Sequence, residues 1–180
     1  MATQKKGQET PRLNSVQLNL VTFVDVDKAT TTKSLDGAVF MFDNSPSSTA
    51  QGTACLQTIC KQGQVLNWII YAMDADKRPD GTWPPSVRIN NIVFLDETGK
   101  DVATTPVCPD IKVFGGPDKI RSTCTPVYYY WAGTIPADLL PGIYKYRFVL
   151  DLETGTNNKS MYLNLDSPSL KVIQIDESIT

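Results

Sequence analysis

Val16-Gln17-Leu18-Asn19-Leu20 runs without a break into Val21-Thr22-Phe23-Val24-Asp25-Val26. Apolar side chains recur there at every second position, the period of a strand with one face in a core. The whole stretch reads as one strand. Working outward, similar short segments occur at Ala38 to Phe42, Ala54 to Cys60, Val65 to Tyr71, Val87 to Leu95, Val127 to Ile135, Ile143 to Leu152, Met161 to Leu165 and Leu170 to Ile175. The links between them carry turn chemistry, as in Asp43-Asn44-Ser45-Pro46, Arg78-Pro79-Asp80-Gly81 and Phe114-Gly115-Gly116-Pro117-Asp118. Glycine supplies positive φ there, proline fixes φ, and Asn or Asp bonds its own backbone. Nine strand candidates imply an all-β fold: an antiparallel two-sheet β-sandwich, immunoglobulin-like or jelly-roll-like, with little or no helix. The one short helix candidate is Pro136 to Leu140, which Pro141-Gly142 stops after about one turn.

The chain has 180 residues, 41% of them hydrophobic and 20% charged, a balance that lets one domain bury a core without metal or disulfide staples. Residues 1–14 are polar and aperiodic and read as a flexible N-terminal arm, followed by a single β-sandwich domain over 15–180. Seventeen Lys and Arg stand against 19 Asp and Glu, a net charge of -2. That offers no field to attract nucleic acid or an anionic membrane. The start has no apolar h-region, and no run reaches the roughly 20 apolar residues that span a bilayer, so a soluble, cytoplasmic protein is expected. Asn158-Lys159-Ser160 fits the N-glycosylation pattern, a triplet too common to carry weight here.

The chain contains no histidine. Ser-His-Asp and Cys-His nucleophilic sites, His-based zinc sites and the usual neutral-pH proton shuttle are thereby excluded, and no enzyme activity or metal site is expected. Gly115-Gly116 lacks the Gly-Lys-Ser/Thr or third spaced glycine of a phosphate loop, so no nucleotide cofactor is expected either. Asp25 and Asp27 flank Val26, while Asp74, Asp76 and Asp80 crowd one loop. A calcium loop would not place Lys77 and Arg78 among its ligands, so these acids read first as solvated turn residues. Cys55, Cys60, Cys108 and Cys124 form no Cys-x-x-Cys pair; reduced, mostly buried thiols are the leading reading, with a disulfide and then a metal cluster as the alternatives.

Tyr128-Tyr129-Tyr130-Trp131 is the most unusual cluster. In a strand, alternate rings point to opposite faces, so one pair must line a face other than the core unless both are covered. A covered central strand, a sugar-stacking platform and a subunit interface are the three readings. Trp83 sits in the proline-stiffened Gly81-Thr82-Trp83-Pro84-Pro85, where it either anchors a partner or plugs the end of the sandwich. A binding module for a carbohydrate or other small polar ligand would use Trp83, Tyr130 or Trp131 for stacking and Asp74, Asp76, Asn90 or Arg121 for hydrogen bonds, with calcium as a possible aid.

Ser34-Leu35-Asp36-Gly37, Met41-Phe42-Asp43-Asn44-Ser45, Gln51-Gly52-Thr53, Asn67-Trp68, Trp83-Pro84-Pro85, Pro126 to Gly133, and Pro141-Gly142-Ile143-Tyr144 follow one another in this order. Together they resemble the PixA/AidA group of bacterial inclusion-body proteins, over about residues 16 to 175. The resemblance implies a small cytoplasmic protein, made at high cell density under quorum control, that assembles with itself into inclusions. It supplies no catalytic residues. A non-enzymatic homo-oligomer, joined through strand edges or an aromatic face, is the leading functional expectation, with the ligand-binding module as the alternative.

Overall fold

The computed structural model describes residues 17–73, 79–81, 85–115, 129–154 and 159–174. Ten strands and one helix follow in order: β1 Leu18–Val24, α1 Val26–Thr32, β2 Val39–Asp43, β3 Gln57–Lys61, β4 Val65–Ala72, β5 Val87–Phe94, β6 Lys112–Gly115, β7 Tyr129–Thr134, β8 Gly142–Thr154, β9 Lys159–Leu165 and β10 Ser169–Ile173. One sheet has the order β2-β1-β4-β7-β6; the other has β3-β10-β8-β5, with β9 also paired to β8. The sandwich is thus present, but its sheets are mixed rather than antiparallel. β1 pairs in parallel with β4, and β3 in parallel with β10. Alternation sets which face a side chain takes, and it is indifferent to the direction of the partner strand.

Leu18, Leu20, Val24, Met41, Leu66 and Trp68 from the first sheet meet Ile89, Tyr146, Phe148, Leu150, Leu152 and Leu170 from the second, all buried. Trp68 and Tyr146 cross edge to face with ring centroids 6.1 Å apart, a favoured aromatic geometry. Gly133 on β7 is buried because the 108–111 turn lies against it: an added Cβ would stand 2.9 Å from the Cys108 Cβ.

Three local expectations change. The first strand ends at Val24, and Val26–Thr32 is helical. Asp25 caps it, its Oδ1 accepting from the Lys28 amide at 2.9 Å, and Val26 and Ala29 are its buried residues. Lys33, at φ 54, ends it in the left-handed conformation. Three threonines in this short segment mask the helix, since β-branched residues lower helix propensity. Pro136 to Leu140 is a single turn closed by the Leu139 amide on the Pro136 carbonyl at 3.2 Å, not a helix. Finally, β6 arises in Lys112–Gly115, whose four residues are all exposed and carry no buried alternation to announce it.

β8 is the 13-residue spine of the second sheet. β10 pairs with its first part and β9 with its last, both antiparallel. Between them the Tyr146 amide donates to the Pro168 carbonyl at 3.2 Å, and Arg147 binds Asp166 and Asp101.

Candidate functional site: the outer face of the first sheet

The inward residues of β1 are Leu18, Leu20, Thr22 and Val24, so Asn19, Val21 and Phe23 turn outward. Cross-strand register carries that outward set over the whole sheet. Phe42 pairs with Val21, Val21 with Ile69, Ile69 with Tyr130 and Tyr130 with Phe114, an apolar row that crosses all five strands. The next row is Phe40, Phe23 and Tyr71, again in register. Phe23 stacks on Tyr71 at 5.8 Å and meets Phe42 edge-on at 6.4 Å, while Tyr130 lies nearly parallel to Phe114 at 5.4 Å.

These rings are open to solvent, with Phe42 at 44% and Tyr71 at 46% exposure. Of the nine exposed large hydrophobic residues among those described, six (Phe23, Phe42, Tyr71, Met73, Val113 and Phe114) belong to this sheet or its immediate strand ends, Val113 on the side of its register partner Trp131. Neither apolar row contains a charged side chain. Lys112, at the corner, holds its ammonium 5.2 Å from the Phe114 ring centre, a cation–π distance. The same border, in register with Lys112 through Ala132, is amide chemistry. Asn67 donates to Asn19 Oδ1 at 2.9 Å and to Gln17 Oε1 at 3.0 Å, and the Asn19 amide donates to Asn44 Oδ1 at 2.8 Å. An aromatic field with a hydrogen-bonded polar rim has the anatomy of a contact surface.

Within the aromatic cluster the structure separates the rings by face. Tyr130 belongs to the outer row. Tyr129 and Trp131 turn to the other side, where the Tyr129 hydroxyl and the Trp131 indole N–H both donate to the Ile89 carbonyl, at 2.7 and 3.0 Å. The ladder between β5 and β8 shifts register between Ile89 and Asn91. A bulge of this kind leaves a residue unpaired in the ladder. Two aromatic donors from the opposing sheet meet the Ile89 carbonyl beside it and bolt the layers together. Trp131 is therefore committed inward, Tyr130 lies on the opposite face of the sheet, and Asn90 is exposed on β5: the three are not gathered in one place. Trp83, Arg121, Asp74 and Asp76 lie outside the described residues. The missed signal was Phe40, Phe42, Val21, Phe23, Ile69 and Tyr71, each readable as a core residue of its own strand; only register makes them neighbours.

Burial pushes the Cys60 thiol up to about 12 and raises that of Cys108 as well, so both remain protonated at neutral pH. Cys55 is exposed; these three cysteines are free, and Cys124 lies outside the described residues. Among the described residues no group of three or more His, Cys, Asp or Glu side chains is placed to hold a metal ion. No helix among them is long and apolar enough to cross a membrane.

A family model described as a domain of unknown function (DUF8788) matches residues 16–159. The chain belongs to this DUF8788 family. No curated protein matches. Among solved structures, the inclusion body protein PixA from Burkholderia cenocepacia J2315 is similar with a TM-score of 0.59 and 9% identity, over 92% of this chain and 99% of that one. At that identity the likeness is one of fold, and the aligned span takes in nearly all of this DUF8788 chain.

Proposed function

We propose that this chain is a non-enzymatic, cytoplasmic protein of the PixA/AidA inclusion-body type that self-associates when abundant, under quorum control, through the outer face of its first sheet. The observation that carries the reading is the charge-free row Phe42–Val21–Ile69–Tyr130–Phe114, continuous across five strands and backed by Phe40, Phe23 and Tyr71. Five strands about 4.8 Å apart, with two to three outward rows about 7 Å apart, make a patch on the order of 400 Å². That is the size of the largest, often functional, apolar patch on a monomer. Two such faces stacked together bury on the order of 800 Å², the weak end of specific association. Weak, reversible pairing is what a protein that assembles only at high concentration requires. The self-complementary partner is a second copy, since a net charge of -2 leaves little mutual repulsion. The absence of histidine and the protonated buried thiols support a non-catalytic role.

Light scattering and sedimentation across a concentration series test this. Reversible growth in mass with concentration is expected, and a strict monomer at millimolar protein would overturn it.

A further inference from the structure

The outer face of the second sheet is polar, and one part of it forms a cradle. Two outward rows meet there in register: Arg88–Asp151–Tyr162 across β5, β8 and β9, and Glu153–Ser160, joined to Ser86 by the Glu153 amide on the Ser86 carbonyl at 2.9 Å. Ser86, Arg88, Asp151, Glu153 and Ser160 line a cavity of about 240 Å³.

Among the described residues both carboxylates use only one oxygen. Arg88 Nε and Nη2 converge on Asp151 Oδ2 at 2.7 and 2.5 Å rather than spanning both oxygens. The Ser86 amide and hydroxyl likewise converge on Glu153 Oε2, at 3.2 and 2.9 Å. Among the described residues no donor meets Asp151 Oδ1 or Glu153 Oε1, and Ser160 Oγ has no side-chain partner. Asp151 is only 4% exposed. Asp151 Oδ1 is not among the fully buried, unpartnered side-chain atoms, so with no donor among the described residues it keeps access to solvent. Simple ion pairing would have been met by a two-oxygen fork. The Asp151 and Glu153 side chains line one cavity with those of Ser86, Arg88 and Ser160, and Tyr162, whose ring is exposed, pairs with Asp151 in register.

We infer that this cradle binds a small neutral polyhydroxylated ligand, a single sugar ring or polyol, through adjacent hydroxyls. Two carboxylates against one guanidinium leave it net negative, which repels phosphate and carboxylate ligands. The central guanidinium disfavours cations. Adjacent O–H groups satisfy Asp151 Oδ1 and Glu153 Oε1 as donors and accept from Arg88 and Ser160, while the Tyr162 ring covers the C–H face. The volume lies below the roughly 300–1,000 Å³ of pockets for drug-sized ligands, so one ring fits and a chain of rings does not. This site lies on the sheet opposite the aromatic face and does not depend on self-association.

Amide NMR titration of the full chain tests the site, with glucose, galactose, ribose and myo-inositol as probes and phosphate and ammonium as controls. The same series on the Phe42→Glu/Tyr71→Glu chain reads binding apart from assembly. At least one polyol should give saturable shifts at Ser86, Arg88, 151–153 and 160–162, with Kd on the order of 1 mM. Glu153→Gln, which keeps an acceptor for Ser86, and Ser160→Ala should each weaken it several-fold while the melting temperature stays put. Asp151→Asn should abolish it, with the other two variants deciding the matter if that chain fails to fold. No saturable polyol shift at about 100 mM, an equal response to phosphate or ammonium, or shifts indifferent to Glu153→Gln and Ser160→Ala would overturn the inference.

Discussion

The two outer faces of this sandwich are built from strands of similar length, yet one is aromatic and the other polar. On the second sheet, β8 alternates: Tyr146, Phe148, Leu150 and Leu152 are buried, while Lys145, Arg147, Val149, Asp151 and Glu153 take the other side, Asp151 alone of these being buried. That is the pattern of a sheet with one wet face. On the first sheet, Val39–Asp43 reads VFMFD and Val65–Ala72 reads VLNWIIYA, near-continuous apolar runs of the kind found where both faces are covered. On the outward one, Phe23, Phe42, Tyr71 and Phe114 are exposed. The contrast teaches that strand composition, more than strand position, marks which outer face is left apolar.

The largest expected effect breaks the comparison outright. Phe42→Glu with Tyr71→Glu gives the first sheet a charged outer face like that of the second. Self-association measured by light scattering should fall at least about 100-fold, since burying unpaired carboxylates costs several kcal/mol. Lys171→Glu, an exposed position on β10 of the second sheet, should leave association unchanged.

A smaller effect concerns how the two faces are held back to back. In the double variant Tyr129→Phe/Trp131→Phe the Ile89 carbonyl loses both aromatic donors, and urea denaturation should show a loss of about 1–3 kcal/mol. Each single change should cost less than half of that at the carbonyl, because one donor remains. Equal losses in the single and double variants would show that the bolt is not shared.

Between the faces the core is neutral, and alkali probes it. The folded state holds the Cys60 thiol up at about 12, above its ordinary 9, because burial disfavours the thiolate. The stability this contributes is complete below pH 9 and is lost as pH rises from 9 through about 12, at no more than about 1.4 kcal/mol per pH unit. Denaturation midpoints measured from pH 8 to 11 should fall accordingly, and Cys60→Ala should flatten the slope.

The smallest effect belongs to the polar face. Arg147 lies between Asp166 and Asp101, and its guanidinium holds the Asp166 carboxyl below the ordinary carboxylate range. Because these acids are half-exposed, Arg147→Ala should cost only about 0.2–1 kcal/mol at pH 7. A depressed folded value contributes stability above pH 3.8 that disappears as pH falls below it, so the variant and the parent should converge in acid.

Much of this could be read before any coordinates. Eight of the nine expected strands are placed within a few residues, and only the opening one is cut short, at Val24, by a helix that its Asp25 cap could have signalled. The presence of Tyr130 and Trp131 on opposite faces follows from period two alone. The cradle was out of reach: Arg88 stands 63 residues from Asp151 in the chain, and each lining residue reads as an ordinary outward polar one.

What the amino-acid order determined by itself is the two-layer β core and the absence of imidazole chemistry, since both rest on residue type and on a period of two that any strand must obey. What the tertiary structure alone decided is which strands became neighbours, in which direction and in which register. Pairing across long stretches of chain depends on packing free energy summed over the whole sandwich. Only there do Phe42, Val21, Ile69, Tyr130 and Phe114 become one row, and only there do Asp151 and Glu153 come to line one cavity with Arg88.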